Sequence, residues 1–179
     1  MEKIRETGEE RQARLLEAMM EVDRGNPERI QHFLKVWGFA RLIGKLEGLD
    51  ADTQEILETA AIVHDIGIRS CMEKYGHCRG KEQEKEGPPL AEELLGRLGY
   101  EERVKARVSW LVGHHHTYAH VEGLDYQILL EADYLVNSYE NHESAEQIET
   151  FCRRVFRTPS GIRLLGLQSG RQFDGKERI

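Results

Sequence analysis

Apolar residues in this chain recur at three- and four-residue intervals and almost nowhere alternate, so helices are the elements that can bury them. From Ile30 the series Phe33, Leu34, Trp37, Phe39, Ala40, Ile43 and Leu46 keeps helical spacing until Gly48. Asn26 is a good N-cap before it, and Pro27 suits the first helical position. Upstream, Arg11 to Val22 reads as a helix with Leu15, Leu16, Met19 and Met20 on one stripe. Downstream, a helix opens near Asp52, carries Ile56, Leu57, Ala60, Ala61 and Val63, and ends around Gly67. Further helices are predicted from Pro88-Pro89 to Gly99, from Glu101 to Val112, from Tyr126 to Tyr139 and from Ser144 to Phe156, with a short turn over Thr158 to Gly166. Residues 69 to 87 place Gly76, Gly80 and Gly87 among a dense run of charges and read as a mobile loop. The fold class is all-α. One compact multi-helix domain is expected over 25-166, with an N-terminal helix within 1-24 packed on it and a polar tail over 167-179.

A chain of 179 residues can bury a core without disulfide or metal staples. Its three cysteines, Cys71, Cys78 and Cys152, are odd in number and irregularly spaced, which fits reduced thiols in the cytoplasm better than a disulfide framework. No run approaches the ~18–20 apolar residues that span a bilayer, and Met1-Glu2-Lys3-Ile4-Arg5-Glu6 lacks the apolar core of a signal peptide. A cytoplasmic protein is expected. Net charge is -7, from 25 basic and 32 acidic residues. That balance argues against duplex nucleic acid as an obligate partner, because binding its backbone needs a basic face. A local basic pocket for one small phosphate is compatible with it.

Four residues stand out for their setting. His32 sits within the first long apolar helix, and His64-Asp65 closes the helix that ends Ala60-Ala61-Ile62-Val63. Asp133 lies within Leu129-Leu130-Glu131-Ala132-Asp133-Tyr134-Leu135-Val136, otherwise almost wholly apolar. A lone buried carboxylate is very costly, so such an aspartate must be paired, hydrogen-bonded or coordinated. Imidazoles and carboxylates together suit a divalent ion such as Mn, Fe, Co, Ni, Zn or Mg. Two neutral imidazoles and two carboxylates bring such an ion near charge balance. Each residue alone has a plainer reading: His32 as a satisfied core histidine, Asp133 as a helix-stabilising acceptor, His-Asp as a common dipeptide.

The ordered set Gln31-His32-Phe33, Ala60-Ala61-Ile62-Val63-His64-Asp65-Ile66-Gly67 and Glu131-Ala132-Asp133 resembles the HD-domain superfamily of metal-dependent phosphohydrolases over about residues 28 to 140. The resemblance implies a helical bundle enclosing a metal held by His32, His64, Asp65 and Asp133. It implies hydrolysis of a small phosphate ester or nucleotide by metal-activated water. Two-metal relatives add histidines between the His-Asp pair and the last aspartate; here Gln83 stands where one of these would be. Glu84 and Glu86 are further oxygen ligands or bases to consider, against a solvated charged loop. In Gly113-His114-His115-His116-Thr117, consecutive loop residues diverge, so at most two of the three histidines share a site. By resemblance His115 and His116 are the preferred pair, for a second metal, for phosphate, or for acid/base transfer near neutrality. Arg69, just past the His-Asp pair, is a candidate phosphate clamp through its planar fork; Lys74, Lys81 and Lys85 fit ordinary surface charges better. The catalytic candidates are therefore Asp65, His115, His116 and Arg69. Cys71, His77 and Cys78 lack a recognisable zinc-site spacing. The expected partner is a small phosphorylated substrate, nucleotides included, with neither membrane nor obligate nucleic acid; homo-oligomerisation is left open. Two alternatives stand beside this: a di-iron oxygenase, disfavoured by Gln83, and a non-catalytic nucleotide-binding sensor.

Overall fold

The computed structural model describes residues 7–173 and, among them, nine helices and no strand. The first six residues of the expected N-terminal segment, and 174–179 of the expected polar tail, lie outside the described residues. The helices are α1 (Gly8–Val22), α2 (Pro27–Leu46), α3 (Ala51–Val63), α4 (Ile68–Tyr75), α5 (Gly80–Arg97), α6 (Glu102–Val112), α7 (Leu124–Glu140), α8 (Ala145–Val155) and α9 (Pro159–Ser169). Their starts follow the local chemistry. Thr7 and Glu10 form a capping box on α1, Asn26 accepts from the Arg29 N–H with Pro27 at the first turn of α2, and Asp50 accepts from the N–H groups of Asp52 and Thr53 on α3. Such caps satisfy backbone donors that a helix start otherwise leaves bare.

The core lies between α2, α3 and α7, with α6 against α3 and α5 against α6. Phe33, Val36 and Ala40 of α2, Leu57, Ala60 and Ala61 of α3, and Ile128, Leu129 and Leu135 of α7 are buried there. α7 is buried on nearly all sides, from Asp125 to Val136, which explains the apolar residues that surround Glu131 and Asp133.

Residues 69 to 87 are not the loop that their composition suggests. They form α4 and the first half of α5, and α5 continues through Pro88 and Pro89. The prolines remove two N–H donors from the ladder, so tertiary contacts have to hold this helix. Glu86 supplies one set, accepting from Lys74 and from the Tyr75 hydroxyl (2.7 Å). Gly67 and Gly87 supply another. A Cβ on Gly67 would stand 2.9 Å from the Gly87 amide nitrogen, and one on Gly87 would stand 2.6 Å from Val112 Cγ1. This backbone-to-backbone approach lays α5 directly over the turn that follows His64-Asp65. A second difference is at the end of the chain, where the expected short turn is a helix running on to Ser169, initiated by Thr158 and Pro159.

Candidate metal centre

Three helices deliver four donor groups to one point. α2 presents His32, His64 caps the end of α3 with Asp65 beside it, and α7 presents Asp133. His32 Nε2 lies 3.3 Å from His64 Nε2, 3.5 Å from Asp65 Oδ2 and 3.2 Å from Asp133 Oδ1. His64 Nε2 lies 3.5 Å from each of the same two oxygens. Donors about 2.1 Å from a divalent ion stand about 3.0–3.4 Å apart at adjacent vertices of an octahedron or tetrahedron. The observed separations, 3.2–3.5 Å, lie in or just above that range.

The imidazole tautomers are set from behind. His32 Nδ1–H donates to Glu140 Oε2 (2.7 Å), His64 Nδ1–H to the Ala61 carbonyl (2.9 Å), and His115 Nδ1–H to the Val112 carbonyl (2.8 Å). Each bond leaves an Nε2 lone pair facing inward, as a ligating histidine requires. Lys35 steadies Glu140 from outside, and the Asn137 amide donates to Asp133 Oδ1 (2.9 Å). Removing the Glu140 carboxylate as Glu140→Ala is expected to weaken divalent-metal affinity about 10–100-fold, since outer partners of ligating histidines carry that much. Competition with a chromophoric chelator measures it; unchanged affinity would contradict the role.

Electrostatics point the same way. Burial alone would lower the His64 pKa, yet the Asp65 charge and then the Asp133 hydrogen bond raise it to about 9. Burial would raise Asp133, but hydrogen bonds from His32 and His64 hold it well below the ordinary carboxylate range. Asp65 is held down against burial by the His64 charge and then by the hydrogen bond with His115. The constellation therefore demands positive charge at its centre, and protons supply it when no cation does. A group raised in the folded state stabilises fully below its unfolded value and loses that contribution as pH rises through the folded one. Metal-free protein is thus expected to lose urea stability from about pH 6.5 upward through 9, while metal-saturated protein does not. Parallel profiles for the two forms would reject this.

The second histidine region also converges here. Asp65, His115 and His116 offer donor atoms within 4.8 Å of one another, whereas His114 turns away, stacks on Trp110 at 4.1 Å and donates to its carbonyl. Gln83 stands between the pair, its Oε1 2.8 Å from His116 Nε2 and 3.2 Å from His115 Nε2. His116 is lowered by burial, and then by His115, to about 4. The expectation that it titrates near neutrality is therefore corrected: burial keeps that ring uncharged.

Glu84 and Glu86 are drawn into structural bonds. Glu84 accepts from the His116 N–H (3.1 Å) and the Thr117 hydroxyl (2.8 Å), pinning the histidine turn, while Glu86 ties α4 to α5. Lys81 and Lys85 are exposed. Arg69 is not brought to the centre, because its guanidinium bonds Glu73 (3.0 Å) and the Val22 carbonyl (3.2 Å). Arg29 lines the cavity instead, with Glu28, His32, Asp65, Gln83, His116, Asp133, Asn137 and Glu140. Sequence reasoning missed Arg29, Asn137 and Glu140, although spacing carried a signal. Arg29 precedes His32 by one turn, and Asn137 and Glu140 follow Asp133 at four and seven residues, on the same helix faces.

A family model described as HD domain matches residues 29–155. The chain belongs to the HD domain family. The crystal structure of a predicted HD superfamily hydrolase from an uncultured Thermotogales bacterium resembles this HD domain with a TM-score of 0.64. The two are 23% identical, over 88% of this chain and 84% of that one; at that identity the likeness bears on the fold. No curated protein matches the chain. The family assignment agrees with the resemblance seen in the His32, His64-Asp65 and Asp133 segments. The described part of this HD domain contains no helix long and apolar enough to cross a membrane.

Proposed function

We propose that the protein is a metal-dependent phosphohydrolase acting on a small phosphate ester or nucleotide. One observation carries this reading: His32, Asp65 and Asp133, gathered about the buried His64, line a cavity of about 270 Å³ whose wall also includes Arg29, its guanidinium 3.7 Å from Asp23 Oδ1. A volume at the lower edge of small-molecule pockets suits a phosphoryl group with a modest alcohol portion.

His32, His64, Asp65 and Asp133 would hold the ion. A divalent ion there supplies Lewis-acid polarisation of a phosphoryl oxygen and makes water a better nucleophile. The chain's own groups do the rest. Arg29 presents a planar donor fork to the remaining phosphoryl oxygens. Asn137 keeps Asp133 Oδ1 turned to the histidines. Asp65 directs Oδ2 to the His32-His64 pair and Oδ1 to His115 Nε2 (3.5 Å), so a proton taken up at Oδ1 has an imidazole next to it.

The Asp65, His115 and His116 donors favour a second reading, a two-ion centre, including one of the di-iron kind. Gln83 would then have to release His116 Nε2 or contribute its own oxygen. Metal analysis after reconstitution with each of Mn, Fe, Co, Ni, Zn and Mg, paired with a panel of phosphate esters and nucleotides, tests both readings. One ion per chain with phosphate release supports the first. Absence of metal-stimulated phosphate release across the panel would overturn it, and a mixed-valent signal after anaerobic iron loading would favour the second.

A further inference from the structure

From Arg153 to Phe173 the chain carries five arginines and no aspartate or glutamate, in a protein of net charge -7. The fold gathers three of them, Arg157, Arg163 and Arg171, along one groove of about 820 Å³ beside α9. Among the described residues no aspartate or glutamate lines it, and it shares no lining residue with the His/Asp cavity.

The groove is a built feature. α9 ends at Gly170 in a left-handed conformation (φ +64°), and the Arg171 N–H returns to the Gly166 carbonyl at 3.0 Å. A Cβ on Gly166 would stand 2.7 Å from the Arg171 carbonyl oxygen, so a glycine there lets the chain double back and bring Phe173 over the helix. Ile162 and Phe173 pack against the core at the base of the groove, and Leu167 lies 71% exposed on its wall. Arg157 is fixed by bonds to the carbonyls of Arg153, Arg154 and Phe156. Among the described residues, the guanidinium groups of Arg163 and Arg171 take part in no ion pair.

Free guanidinium forks above an aromatic and aliphatic floor recognise a phosphate joined to a planar ring. The volume lies within the range of small-ligand pockets, and the return of the chain makes the surface concave, which a flat membrane or an extended helix would not fill. We propose that this groove is a second binding site, separate from the metal centre, for a nucleotide. The nucleotide's phosphate pairs with Arg163 and Arg171, and its base lies against Phe173 and Ile162. The site bears on the helix that carries Asp133: Gln168 of α9 donates to the Leu135 carbonyl (2.7 Å), and Thr158 at the start of α9 donates to Glu131. The proposal stands whatever reaction the metal centre performs.

Metal-free, full-length protein titrated with adenosine monophosphate by calorimetry tests it, alongside Arg163→Glu/Arg171→Glu and Arg29→Ala. Saturable one-to-one binding is expected, weakened at least about tenfold in the double arginine variant and unchanged in Arg29→Ala. Both variants change partly or fully exposed side chains, and circular dichroism confirms their folding. Four outcomes would overturn the proposal. These are no saturable binding, equal binding by the double variant, loss in Arg29→Ala instead, or inorganic phosphate binding as tightly as the nucleotide. Capture of the protein on phosphatidylserine vesicles without competition by the nucleotide would likewise reassign the arginines to a lipid surface.

Discussion

Alanine at both His64 and Asp65 is expected to yield a folded protein that keeps no divalent ion through dialysis and releases no phosphate above background. His64 Nε2 and Asp65 Oδ2 are two of the four inward donors, each 3.5 Å or less from His32 Nε2. Loss of an outer partner of a ligand already costs about 10–100-fold in affinity, and loss of two ligands costs more than the product of two such steps. The substitutions are small, and Ala60, Ala61 and Val63 keep the end of α3 buried, so the fold survives. Elemental analysis by mass spectrometry and a phosphate-release assay read the result. Retention of both ion and activity would sink the assignment of the centre.

Glu131→Ala is expected to be the most destabilising single change outside the metal centre. Glu131 is fully buried, two residues from Asp133. Its Oε1 accepts from Gln127 Nε2 (2.7 Å) and from the backbone N–H groups of Arg157 (2.6 Å) and Thr158 (2.9 Å), and the Thr158 hydroxyl donates to Oε2. One carboxylate thus joins α7 to the α8–α9 connection and to the start of α9. Its pKa is raised by burial, against the hydrogen bonds from Arg157 and Thr158, so the side chain holds its place through these donors. Truncation leaves buried donors unpaired and opens a cavity, at a cost of about 3–5 kcal/mol. For a chain of this size that lowers Tm by about 10 °C. Urea unfolding followed by circular dichroism checks it. A change below about 1 kcal/mol would show that the connection is held by other contacts.

Sequence and structure agree where one element suffices to decide. Asn26-Pro27 announces a helix start through a local bond. His32, His64-Asp65 and Asp133 are legible because ionisable residues in apolar helices need a common partner. Residues 69 to 87 were not legible, because α5 draws its stability from remote contacts. The charge run hides Glu86, which binds Lys74 and Tyr75, and the Gly67–Gly87 approach cannot be seen in a string of letters. Direction around a helix was the other obscure quantity. Arg69 and Arg29 lie near the centre in sequence and in space respectively, and the structure turns only Arg29 into the cavity. Glu131 shows the same limit, since its partners Arg157 and Thr158 lie 26 and 27 residues away.

The bonds that orient the histidines from behind govern when, in the life of the molecule, a metal can arrive. The Ala61 and Val112 carbonyls that hold His64 and His115 belong to helix ends, and helices close without help from an ion. On the proposed reading, an ion would load late onto a finished scaffold, unlike small zinc modules that remain unfolded until the metal binds. A chelator should accordingly silence the protein reversibly and leave its helical circular dichroism signal in place.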